Sequence, residues 1–133
     1  MKEILEVAEI TLSYKPIIAG RPIIKTAEEA FAAFKTFFNE DLIGLQEQFV
    51  VMYLNRANRI LGIYKLSNGG ITGTVADIRL ILGTALKTAA CSIILCHNHP
   101  SGNLGPSQTD IDLTRRIKEA AALMDIKLMA TLL

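Results

Sequence analysis

Tryptophan is absent from the 133 residues, and no apolar run approaches the roughly 18 residues of a bilayer span, although half of the side chains are apolar. The composition predicts a soluble protein without a membrane-spanning helix. The opening Met1-Lys2-Glu3-Ile4-Leu5-Glu6 lacks the basic start, apolar stretch and small-residue cleavage site of a secretory signal, which predicts a cytoplasmic location. Cysteine is scarce. Cys91 and Cys96 are the only two, and their odd spacing would put them on opposite faces of a strand, so they are read as reduced thiols. Charge of one sign is lacking too: 14 basic side chains stand against 13 acidic ones, too even a balance for a strong nucleic-acid footprint. The distribution is uneven, because residues 51–105 carry Arg56, Arg59, Lys65, Arg79 and Lys87 against Asp77 alone. Such a basic centre would suit an anionic partner, and a solvated surface explains it equally well.

Internal repeats, low-complexity tracts and long linkers are also missing, and the length suits one core, so residues 1–133 are expected to form a single α/β domain. Val7 to Tyr14 has the alternating, β-branched character of a strand ended by Lys15-Pro16. From Thr26 to Phe38 a capping-box pattern, Thr26-Ala27-Glu28-Glu29, opens a helix whose Phe31, Phe34 and Phe38 form one core stripe. The runs Gln48–Leu54 and Arg59–Leu66, joined by Asn55-Arg56-Ala57-Asn58, read as a β-hairpin. Between Thr74 and Lys87, Ile78, Leu82 and Leu86 fall at helical spacing. Cys91 to Cys96 is a short continuous apolar run, the pattern of a buried central strand, and it leads directly into His97.

Histidine is as rare as cysteine. The only two, His97 and His99, sit two apart where the apolar strand runs out, so in an extended backbone both imidazoles can face one metal ion. Each alone is better explained by a satisfied hydrogen bond; the paired placement is harder to dismiss. Pro106-Ser107-Gln108-Thr109-Asp110 opens a third helix, and Ser107 as N-cap with Asp110 three residues on is a capping signature that needs no function. The helical wheel nevertheless aligns Asp110 with Leu113, Ile117, Ala121 and Met124, the inward stripe, while Asp112, Arg115, Arg116 and Glu119 face out. An inward carboxylate without a basic partner on its stripe costs several kcal/mol unless a metal takes its charge. Two histidines and this aspartate make a three-ligand zinc site with a fourth position open to water, the arrangement of catalytic zinc. Cys96 would be a further donor, but a small buried hydrophobe is the commoner role for such a cysteine. Hydrolysis also needs a base. Glu47 shares strand parity with Phe49, Val51 and Tyr53, which makes it either the base or an exposed edge residue.

Glu47, His97-Asn98-His99-Pro100-Ser101-Gly102 and Pro106-Ser107-Gln108-Thr109-Asp110 together resemble the JAMM motif of JAB/MPN-domain metalloproteins, and more narrowly the bacterial RadC family. The likeness extends over roughly residues 7 to 128, taking in Leu54-Asn55-Arg56-Ala57-Asn58-Arg59 and Gly73-Thr74. It implies a three-layer α/β/α sandwich around a mixed, curved sheet, related in architecture to the cytidine deaminases. It further implies one zinc ion held by His97, His99 and Asp110, Glu47 as general acid/base, and Ser107 as a hydrogen-bond donor to the oxyanion. A deaminase activity is excluded, since the His-x-Glu and Pro-Cys-x-x-Cys signatures are absent.

The ending departs from the family pattern. Asp125-Ile126-Lys127-Leu128 runs into Met129-Ala130-Thr131-Leu132-Leu133 where relatives continue with an Asp-His strand and more, so the domain reads as truncated at its C-terminus. An open sheet edge there would favour pairing with a second chain, and a homodimer is an arrangement this ending allows. The leading functional expectation is a zinc-dependent hydrolase of peptide or isopeptide bonds. Beside it stand a DNA-repair-associated module whose central basic residues contact DNA, and a scaffold without turnover. The family's suspected DNA-contacting N-terminal helical region is missing from the sequence, which weakens the second.

Overall fold

In a computed structural model, residues 6–11, 13–17, 20–36, 48–68, 76–97 and 108–132 are described. They form α1 (Ala27–Lys35), β1 (Gln48–Leu54), β2 (Ile60–Asn68), α2 (Ile78–Thr88), β3 (Ser92–His97), α3 (Gln108–Leu123) and β4 (Lys127–Leu132). The strands make one mixed sheet in the order β2-β1-β3-β4. β1 is antiparallel to both its neighbours, and β3 and β4 run parallel.

The continuous apolar character of β1 and β3 follows from this placement. Both lie inside the sheet, every residue of each is buried, and helices cover the two faces. Val50, Met52, Leu54, Ile94 and Cys96 pack with Ala30 and Phe34 of α1. Phe49, Val51, Tyr53, Ile93 and Leu95 pack with Ile81, Leu82 and Ala85 of α2 and Ile117 and Ala121 of α3. Helix, sheet and helices are thus three layers, as the JAB/MPN resemblance implies.

Local chemistry accounts for the connections. At the start of α1 the Thr26 hydroxyl accepts from the Glu29 N–H at 3.1 Å while the Glu29 carboxylate accepts from the Lys25 N–H at 3.0 Å. In the hairpin loop the Asn55 side chain accepts from the N–H groups of Ala57 and Arg59, and Asn58 takes the left-handed conformation that asparagine tolerates. Leu61 is an extra residue in β2 where the pairing shifts between Tyr53 and Leu54, and the Tyr14 hydroxyl donates to its carbonyl.

Four expectations need correction. The described residues between Val7 and Tyr14 form no strand. Val7 and Ile10 are exposed, because alternation without a sheet partner buries nothing. On α1, Phe34 is buried, but Phe31 faces out and carries the Lys35 ammonium 4.8 Å above its ring. Phe38 lies outside the described residues. On α2 the buried stripe is Ile81, Leu82 and Ala85, and Leu86 is exposed, so the helix is rotated from the expected phase by about one position. Met124 is exposed because α3 ends at Leu123, one residue before it.

Candidate metal centre

The βαβ path through β3, α3 and β4 sets the site. Since β3 and β4 are parallel, α3 must run back against them, and its first turn returns to the carboxyl end of β3. That end is where open α/β sheets bind ligands. His97 is the last residue of β3, in phase with Ile93 and Leu95, so its side chain leaves on the α2/α3 side of the sheet. Asp110 is in the first turn of α3, on the stripe that continues through Leu113 to the buried Ile117 and Ala121. The helix N-terminus also favours a carboxylate there.

The two side chains meet. His97 Nε2 lies 3.6 Å from Asp110 Oδ1, with 8% and 21% of the side chains exposed. This is longer than a direct hydrogen bond. Donors about 2.1 Å from a common tetrahedral zinc ion would lie roughly 3.4 Å apart, so the pair fits a shared ion held largely away from solvent. Across the β1–β3 ladder Phe49 is the register partner of His97, and its ring stacks on the imidazole with centroids 5.5 Å apart and planes inclined by 23°.

Of the expected site residues, His97 and Asp110 are therefore brought together, while Glu47, His99 and Ser107 lie outside the described residues. Among the described residues no third metal-binding side chain joins the pair. Cys96 points to the α1 side, buried among Val50, Met52 and Ile94, where burial pushes its thiol up to about 12. It faces away from His97. Both cysteines are free. What the sequence reading missed is Phe49 as the neighbour of His97: parity places it on the correct face, but only the register of β1 against β3 sets it opposite the imidazole.

A concavity of about 530 Å³ lies beside α1 and β2 between Tyr14, Arg21, Ala33 and Ile63. Among the described residues that line it there is no histidine or carboxylate. Among the central cations, Arg79 pairs with Asp77 at 3.2 Å and Arg59 donates to the Arg21 carbonyl at 2.8 Å. No helix among the described residues is long and apolar enough to cross a membrane.

Comparison with known proteins agrees with this architecture. The model of the RadC-like JAB domain matches residues 24–133. A UPF0758 protein of Flavobacterium johnsoniae is 40% identical over 106 residues, 80% of this chain and 45% of the relative. One from Porphyromonas gingivalis is 46% identical over 83 residues, 62% of this chain and 37% of the relative. Another, from Syntrophomonas wolfei, is 38% identical over 110 residues, 82% and 47% respectively. The match spans less than half the length of each of these curated relatives.

Proposed function

This chain belongs to the RadC-like JAB domain family, and on that premise we propose that it is a zinc-dependent hydrolase of peptide or isopeptide bonds, with one ion held by His97, His99 and Asp110. The observation that carries the reading is the approach of His97 Nε2 to Asp110 Oδ1 at the carboxyl end of β3. Bound zinc supplies Lewis-acid polarisation of a carbonyl and of a water molecule.

The chain's own residues do the rest. A neutral imidazole at His97 and an ionised Asp110 offer one lone pair each toward the shared position, and their partial burial strengthens that attraction. His99, two residues on, has the spacing to join them. Glu47 immediately precedes β1, whose Phe49 pairs with His97 at the end of the ladder. In this reading its carboxylate takes the proton from the attacking water and hands it to the leaving amine. Ser107 immediately precedes α3, and its hydroxyl donates to the oxygen of the carbonyl as negative charge develops there. Arg59 and Arg79 are engaged within the chain, and among the described residues no geometry comparable to the His97–Asp110 pair favours the DNA-contacting reading.

The test is metal analysis of the purified protein beside His99→Ala, followed by turnover of a peptide library by wild type and Glu47→Gln. We expect about one equivalent of zinc, lost in His99→Ala. In Glu47→Gln we expect retained zinc with turnover reduced by about 10² to 10⁴. A folded wild-type protein that takes up no zinc would sink the proposal, and so would cleavage indifferent to Glu47.

A further inference from the structure

Phe49 and His97 are directly opposed across an antiparallel ladder, the arrangement in which two side chains emerge on one face close enough to touch. Their rings lie nearly parallel, 5.5 Å between centroids and 23° between planes. Phe49 is itself immobilised: it is 4% exposed and belongs to the core cluster with Val51, Leu95 and Ile117. An imidazole on a strand end has freedom about its outer dihedral, and a fixed aromatic wall removes it. A second effect adds to the first. When an imidazole gives its lone pair to a divalent cation the ring becomes more positive, and the electron-rich face of a phenyl ring stabilises that charge.

We propose that Phe49 is a positioning residue for the metal centre, holding the His97 imidazole in the plane that aims Nε2 toward Asp110 and strengthening its bond to the ion. The role rests on the metal-dependent reading above. It assigns Phe49 no contact with substrate and no share in proton transfer.

Cobalt(II) alone is a suitable probe, because its visible absorption reports ligand geometry without any turnover. Wild type, Phe49→Leu, Phe49→Tyr and Val51→Ala are titrated with cobalt(II), and the melting temperature of each metal-free form is measured. Val51→Ala removes apolar bulk from the same face of β1, two residues further on, and serves as a control for lost packing. We expect Phe49→Leu to weaken cobalt affinity roughly tenfold and to alter the visible band, as loss of a residue that orients a ligand does. Phe49→Tyr, which keeps the ring, restores both, and Val51→Ala lowers the melting temperature with affinity within about twofold of wild type.

Wild-type affinity and an unchanged spectrum in folded Phe49→Leu would overturn the positioning role and leave the metal centre standing. Equal weakening in Val51→Ala would overturn it too, by showing that affinity follows stability. Should Phe49→Leu fail to fold, Phe49→Met, also without a ring, replaces it under the same criteria. Wild type that binds no cobalt or zinc removes the metal reading itself, a result distinguishable from the other two.

Discussion

Tyr53 illustrates what a single polar atom does in this core. Its side chain is 1% exposed on the face of β1 that meets α2, and its hydroxyl donates to the Ile81 carbonyl at 2.8 Å. A buried phenol needs such a partner. Burial pushes its ionisation well above the ordinary tyrosine range, and a hydrogen bond with Thr84 offsets only part of that shift. The raised value means that the folded chain resists ionisation that the unfolded chain undergoes near pH 10. The contribution is therefore complete below that pH and is lost as pH rises above it. Urea unfolding at about pH 8 and about pH 11 should show a steeper alkaline loss for wild type than for Tyr53→Phe. At the lower pH the substitution should cost about 1 kcal/mol.

Elements carry a different lesson, visible where helices end. α2 stops with Ala89 in the left-handed conformation, φ 56°, with the Ala90 N–H bonded to the Ala85 carbonyl and the Ala89 N–H to that of Leu86. α3 repeats the arrangement: Asp125 has φ 57°, Ile126 N–H reaches the Ala121 carbonyl and Asp125 N–H that of Ala122. Both are Schellman endings at a position where glycine is usual. Because neither carries glycine, the stops have no sequence signature, although each turns the chain straight into a strand. Ala89→Gly and Asp125→Gly should each stabilise the protein by roughly 0.5 to 1 kcal/mol, read as a higher urea midpoint at unchanged slope.

The same scale shows what was legible and why. Gln48–Leu54 and the run into His97 could be located from the chain, since strands buried on both faces must be apolar throughout. Thr26 marked its cap through a local hydrogen bond. The phase of α2 could not be read, because Leu86 and Ile81 are equally apolar and the packing against Tyr53 and Ile93 decides between them. Nor could the position of Val7, whose burial depends on a partner strand that the alternation does not supply. The approach of Asp110 to the end of β3 was legible from helical phase, whereas the Phe49 stack required register.

For the whole molecule, the placement of the proposed metal centre would tie ligand binding to stability. A cation bound by β3 and α3 together would hold the folded chain and not the unfolded one, so it should raise the midpoint of global unfolding. At zinc a hundredfold above its dissociation constant the gain is about 2.7 kcal/mol. Calorimetry of the metal-free protein with and without zinc should show that rise, and its reversal by chelator. Asp110→Ala should melt at the same temperature in both conditions.

β3 can also be regarded as a reading frame. Its alternate residues are committed to two different helical layers, so the chemistry offered beside α3 depends on counting from the core outward. One residue gained or lost between Ile93 and His97 would not merely loosen packing. It would exchange the imidazole for its neighbour and turn the thiol of Cys96 toward Asp110, a different site from nearly the same letters. The proposed centre therefore depends on the count within this strand, and it keeps its identity through the phase of the core.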